Sequence, residues 1–436
     1  MQNPTEQPIT QPLSSQLVSQ ASSRINIKRF HLRPSIIFIG FIASQKLSFA
    51  GEFYIGEILS IIYIAINFQK IKAGRDIKAL VLMGFIWSLS QFISDQLNQT
   101  EFLDSFKGIG APIVFVCTIV ALSMFFIRDI RRMPSFLLGV YLGYITEFIF
   151  FQNEYFAGNP WKWGVGLFVL GVFSIYFTFF LAKKRTAYLV LFVIAFLIVG
   201  LLNDSRSMAI FPSLATVAYI LLRNKHFAKS LKVFRGRFAI TKLAVVIFSL
   251  LFTLNTAFTA IFSSSWVLDK LPAESAKKFQ LQAGGEYGAL LGGRNEALVS
   301  TMAFLDKPFF GHGSWAKDKS GYHDKLSELR YDLGYSEDSN SSYKSDLIPA
   351  HSYLMGALVW AGIGGGLFWM FMIRWLLIQF LNNFQYLGFY FYNGIIATLW
   401  NIMFSPFGAS ARWIAASFVA SLYCYSKFVS AKSVIK

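Results

Sequence analysis

Repeated long apolar runs constrain this chain more than any other feature. Val165–Leu181, Thr186–Leu202, Ala239–Phe262 and Ser352–Ile373 approach or exceed the ~20 residues a helix needs to cross a ~30 Å hydrocarbon core. They are continuous runs, without the alternation or one-sided periodicity of elements half exposed to water. Composition agrees: 14% of the 436 residues are charged and 55% are hydrophobic, against about a quarter charged in a soluble globular chain. Several such runs exclude an enzyme held by a single anchor. The expected fold class is an all-α polytopic membrane protein.

About twelve spans are expected, at 34–50, 52–69, 77–94, 111–127, 134–151, 163–181, 186–202, 206–222, 239–262, 352–373, 386–404 and 412–429. The net charge of +17 would suit a nucleic-acid binder if it were clustered, but the basic residues sit in short links between apolar runs. With every second link assigned to the cytoplasm, that side collects Arg24, Lys28, Arg29, Arg33, Lys70, Lys72, Arg75, Lys78, Arg128, Arg131, Arg132, Lys183, Lys184 and Arg185. The 223–242 link and Lys427, Lys432 and Lys436 add to the same side. Short external links hold only Lys107, Lys162, Arg206 and Arg412. Retention of Lys and Arg in the cytoplasm therefore places both termini inside. Gln45 and Lys46 interrupt the first span and Glu57 the second, so a re-entrant hairpin with ten full spans is the alternative.

The remaining organisation follows. Residues 1–33 form a cytoplasmic, disordered tail, because Met1–Ser23 is polar and Gln/Ser-rich without the apolar core of a signal peptide. Residues 34–262 hold helices one to nine, 263–351 one large periplasmic loop, 352–429 helices ten to twelve and 430–436 a cytoplasmic tail. The 263–350 stretch carries ten basic and twelve acidic residues. It contains a potentially helical Arg294–Asp306 segment and a turn cluster, Pro308-Phe309-Phe310-Gly311-His312-Gly313. Loops this long in compact proteins are functional or disordered. Cys117 and Cys424 fall within apolar spans and offer no disulfide framework.

A charge inside a span is costly and marks function by default. Lys46, Glu52, Glu57, Asp95, Glu147, Asp204, Arg206 and Arg412 all fall at or near the outer ends of their spans. End-of-helix charges can simply reach the interface, and Lys46, Glu57 and Glu147 can pair with one another. As a group they also fit a polar cavity that opens outward beneath the loop. Arg206, in Asn203-Asp204-Ser205-Arg206-Ser207, would otherwise be an interfacial anchor. Arg294 would be a surface arginine, and His351, where the loop re-enters the membrane, an interfacial histidine. Around one cavity the two arginines could clamp a diphosphate, and the histidine could take a proton from a hydroxyl. Arg412 and Lys46 are accessory diphosphate candidates, and His312, Glu57 and Glu147 further accessory residues. The sequence holds no P-loop, HExxH or Asp-x-Asp, so neither a metal nor a cofactor is expected.

At these residues the sequence resembles the O-antigen ligase/polymerase superfamily of bacterial envelope glycosyltransferases. Ser205-Arg206-Ser207 is similar to its Ser-Arg-small motif, Gly293-Arg294 to its Gly-Arg, and Pro308–Gly313 to its Pro-x-x-Gly-x-Gly. Ala350-His351-Ser352-Tyr353-Leu354 with Ala361-Gly362-Ile363-Gly364 resembles its His-x-x-Leu and Gly-Ile-x-Gly. Leu298 stands where an aromatic residue often follows the arginine, and Ser352 where an Asn commonly follows the histidine. The resemblance implies an inverting, metal-independent transfer of a glycan from undecaprenyl diphosphate at the periplasmic face of the inner membrane. The acceptor would be a lipid A–core hydroxyl in a ligase, or the end sugar of another lipid-linked repeat unit in a polymerase. Arg206 and Arg294 would hold the diphosphate and His351 would serve the acceptor hydroxyl. A polysaccharide or lipid transporter, the rival from another class, would need polar groups across the inner leaflet, and a scaffold would leave the outward charges unexplained.

Overall fold

The computed structural model describes residues 30–48, 51–70, 74–151, 154–181, 186–203, 205–224, 264–270, 295–332 and 346–434, with isolated positions between them. The expected 239–262 span, Asp204, Arg294, the Gly-rich 283–293 run, most of the 1–33 tail and the last two residues lie outside the described residues.

Helices α1 (Pro34–Ala43) and α2 (Ile55–Asn67) flank a hairpin of two three-residue strands, β1 (Lys46–Ser48) and β2 (Glu52–Tyr54), paired antiparallel with Lys46 opposite Tyr54. There follow α3 (Arg75–Leu97), α4 (Phe102–Arg128), α5 (Arg132–Phe150), α6 (Gly166–Phe179, entered by a π-helical turn at Trp161–Val165), α7 (Thr186–Leu202) and α8 (Arg206–Arg223). The loop contributes α9 (Asn295–Asp306) and α10 (Tyr322–Asp332). The chain closes with α11 (Tyr353–Ala361), α12 (Ile363–Asn383), α13 (Phe389–Phe404) and α14 (Ala409–Val434). Among the described residues, six helical stretches are long and apolar enough to cross a membrane, and four shorter apolar helices accompany them. The architecture is that of a membrane-embedded helical bundle, with the short hairpin as an exception to the all-α expectation.

The first segment is short as a helix yet reaches as far along the bundle as α5 does. Arg33 pairs with Asp129 at 2.8 Å, just before α5, and Lys46 lies 3.4 Å from Glu147 near the other end of α5. Arg132 to Glu147 covers about 23 Å at ~1.5 Å per helical residue. Ten residues of α1 supply roughly 15 Å, and extended chain beyond it rises about 3.3 Å per residue. A helix finished by a strand therefore spans what α5 spans alone. Small residues bring the two backbones together: a Cβ at Gly40 would overlap the Phe136 carbonyl, and one at Gly139 the Ile37 carbonyl. Such small-residue contacts are how helices approach where burial from water supplies no drive.

The 352–373 stretch is not one helix. The chain breaks at Gly362 (φ 64°, ψ −154°), and the nine residues of α11 supply about 14 Å, too short to cross ~30 Å. The full-length element is α12.

Side-chain bonds define two ends of the bundle. At one, Arg33 and Arg131 bind Asp129, Lys427 lies 3.3 Å from Asp76, and Arg223 caps the Tyr219 ring. At the other lie the β1–β2 hairpin, the end of α3 and the loop helices. Between them an aromatic core packs Trp87, Phe115, Phe368, Trp369 and Phe407 with ring centroids 5.0–6.0 Å apart. The loop has a small core of its own, with Val299, Ala303, Tyr322, Leu326 and Ile348 packed against Val359 of α11.

Candidate functional site

Two polar constellations occupy the loop end. The first surrounds the hairpin. Arg412, in the first turn of α14, is buried and grips Glu57 with both edges of its fork: Nε to Oε1 at 2.6 Å and Nη2 to Oε2 at 2.9 Å. Nη2 also donates to the Glu52 carbonyl at 3.0 Å. Glu57, fully buried in the first turn of α2, accepts from the Tyr54 backbone N–H at 3.0 Å, as a carboxylate at the third helical position does. Tyr54 donates its hydroxyl to Glu147 at 2.8 Å and meets Ser410 at 2.9 Å. Lys46 binds Glu52 at 2.7 Å and Glu147 at 3.4 Å. The structure thus gathers Lys46, Glu57, Glu147 and Arg412 into one network in which both buried carboxylates have donor partners.

The second constellation surrounds α11. The last carbonyls of a helix have no partner within it, and here neighbours take them. Ser90 of α3 donates to Ala361 at 2.6 Å and Ser94 to Trp360 at 2.7 Å. From the loop, the His312 N–H donates to Val359 at 2.7 Å and the Gly313 N–H to Trp360 at 3.1 Å. The Pro308–Gly313 turn and the Gly362 break interlock: Ile363 N–H donates to the Pro308 carbonyl at 2.9 Å, and a Cβ at Gly362 would overlap the Phe309 carbonyl. Buried Asp95 fastens the turn to α3 by accepting from the Ser314 N–H at 2.6 Å and its hydroxyl at 2.9 Å. Burial, the largest influence, holds the His312 ring below the ordinary histidine value despite its contact with the Ala303 carbonyl. His312, hydrogen-bonded through its ring and its backbone N–H, anchors the turn.

The opposite end of α11 presents His351. Ser352 caps the helix, accepting from the Met355 N–H at 2.8 Å, and donates to the Ile402 carbonyl at 3.1 Å. His351, immediately before it, is exposed. Ile402 lies near the end of α13, and Trp400 of the same turn packs on Phe211 of α8 at 5.0 Å. Arg206 is the first residue of α8; its side chain is outside the described part. The start of α8 is tied by Ser205, whose N–H donates to the Gly200 carbonyl at 2.8 Å. Arg294 lies outside the described residues; α9 is described from Asn295, and its Ser300 hydroxyl meets the Pro349 carbonyl at 2.7 Å, two residues before His351.

α8, which begins at Arg206, α9 and the segment carrying His351 therefore meet through the end of α13 and the Pro349–Ser352 segment. Arg206 and His351 also share a local position, at or just before a helix N-terminus, and Arg412 lies within the first turn of α14. Helix N-termini carry partial positive charge and favour anions. Cations placed there are locally unfavourable and sum with the dipoles into an anion-attracting end. Arg412 has its counter-ion in Glu57. Sequence reasoning missed Tyr54 and Ser410, uncharged residues with no motif, and the Asp95–Ser314 bond between distant segments. No protein-family model matches the chain, and no curated protein matches it.

Proposed function

We propose that this protein is a membrane glycosyltransferase that moves a glycan from undecaprenyl diphosphate to an acceptor hydroxyl at the loop end of the bundle, of O-antigen ligase type. The observation that carries the reading is the meeting of α8, which begins at Arg206, with α9 and the segment bearing His351, and the N-termini of α8 and α11 are a setting for a diphosphate. The basic end fits the cytoplasmic side, so the loop end would face the periplasm of a bacterial inner membrane, with about twelve crossings and both termini inside.

In this mechanism the acceptor hydroxyl attacks the anomeric carbon from the face opposite the diphosphate. The bond from that carbon to the diphosphate oxygen breaks with inversion, and His351 receives the hydroxyl proton. Arg206 and Arg294 hold the leaving diphosphate and offset its developing charge. No metal or cofactor takes part. Glu57 and Glu147 already accept from Arg412, Tyr54 and Lys46, which speaks against either as the base. Lys46 and Arg412 order the hairpin beside this site, and both are accessory contacts for the diphosphate in this reading. The acceptor is a lipid A–core hydroxyl in the ligase reading, or the end sugar of a second lipid-linked unit in the polymerase reading. Deleting the gene separates them. Loss of a ligase leaves lipid-linked polymer unattached, loss of a polymerase leaves single repeat units on the core, and an unchanged surface polysaccharide contradicts both.

A further inference from the structure

The loop carries an apolar face that no element among the described residues covers. On α9, Met302 and Leu305 point outward, followed by Phe309 and Phe310 of the turn; Leu305 is 66% and Phe309 69% exposed. Loop residues exposed to water are ordinarily polar, and four large apolar side chains together mark an interaction surface. The nearby charges are engaged: Asp306 accepts from the Tyr322 hydroxyl at 2.5 Å, and Lys307 donates to Asn98 at 2.6 Å.

The bonds of the turn set its level on the bundle. Asn98 directly follows the last residue of α3 and donates to the Gly311 carbonyl at 3.2 Å. The 23 residues of α3 make about 34 Å of helix, close to the ~30 Å hydrocarbon thickness. The Pro308–Gly311 turn therefore lies where the apolar length of α3 ends. Its apolar face is also continuous with the outside of the bundle. Pro308 is bonded to Ile363, and Ile363, Leu367 and Met370 form an exposed stripe down α12. Beside it, Leu82, Phe85 and Leu89 are exposed on α3.

We infer that Met302, Leu305, Phe309 and Phe310 dock the loop into the interfacial layer of the bilayer, continuing the lipid-facing surface of α3 and α12 above the end of the spans. Aromatic side chains suit that layer, and the Lys307 ammonium sits at headgroup level. The docked turn is the one that holds the end of α11, so the membrane surface itself fixes the half-helix leading from His351. This inference rests on membrane embedding and not on the glycosyl-transfer reading.

Two measurements test it. The unaltered chain is reconstituted in phosphatidylethanolamine/phosphatidylglycerol vesicles containing a lipid with a diazirine high on its acyl chain, illuminated and digested. Adducts are expected on the peptide containing 302–310 and absent from 319–330. Adducts on 363–370 with none on 302–310 would overturn the inference. The second uses nitroxide labels at F309C and, for comparison, K319C, with Cys117 and Cys424 replaced by Ala. Collision with oxygen should exceed collision with a water-soluble nickel chelate at 309, and the ratio should reverse at 319. Equal nickel access at both sites, or exclusion of both reagents at 309 as under a second copy or another part of the chain, would contradict bilayer docking.

Discussion

At the scale of single residues, the Glu57–Arg412 pair shows how this chain keeps charges at membrane depth. The pair is buried, forked and supported by the Tyr54 N–H and the Glu52 carbonyl, as a desolvated ion pair must be to offset its cost. Removing one partner leaves a buried charge without compensation. Glu57→Ala is expected to cost about 3–5 kcal/mol and to lower the melting temperature in detergent markedly. The double replacement Glu57→Leu with Arg412→Met should recover most of that loss, because a well-packed apolar pair of similar volume is often neutral. A Glu57→Ala melt within a degree or so of the unaltered chain would mean that the pair is not held as described. The charges of this network are legible in the sequence as outward residues. Its hub is not, since nothing in the composition around Tyr54 distinguishes a hydroxyl that ties α5 to α14 from an ordinary interfacial tyrosine.

At the scale of elements, the helix expected at 294–306 was legible: its described part, Asn295–Asp306, is helical. The split of 352–373 was not. Hydropathy reports apolar character and is blind to a backbone reversal, and Ala361-Gly362-Ile363 is apolar throughout. What breaks the helix is a distant contact, the Pro308–Phe310 backbone seated against Gly362. The α10 helix also escaped a polar reading of the loop. Burial alone would raise the Asp318 carboxyl, yet the N–H groups of Tyr322, His323 and Ser320 hold it below the usual carboxylate range and organise that start. The Gly362 conformation belongs to a region only glycine occupies readily, with strain of about 1–3 kcal/mol for other residues. Gly362→Ala adds a clash with the Phe309 carbonyl and should destabilise by at least that strain. Gly356→Ala, where a Cβ meets nothing within 4 Å, should be neutral or stabilising by roughly 0.5–1 kcal/mol. Thermal melts of the two variants in one detergent check the contrast, and equal melts would contradict the interlock.

At the scale of the whole molecule, the bundle puts a basic end and a loop end on opposite sides, and the chemistry proposed belongs wholly to the loop end. Its central claim is that His351 serves the chemical step while Arg206 and Arg294 hold the donor. The most direct measurement is donor affinity and turnover on purified protein with an undecaprenyl-diphosphate-linked glycan and its acceptor, in excess EDTA, for the unaltered chain, His351→Ala and Arg206→Lys. The unaltered chain should turn over in EDTA. His351→Ala should bind donor nearly as well and lose about 10²–10⁴ in rate, the contribution of a positioned acid–base group. Arg206→Lys, which keeps charge but loses the planar fork, should weaken donor binding. Turnover of His351→Ala near the unaltered rate, with folding verified by melting, would contradict the claim.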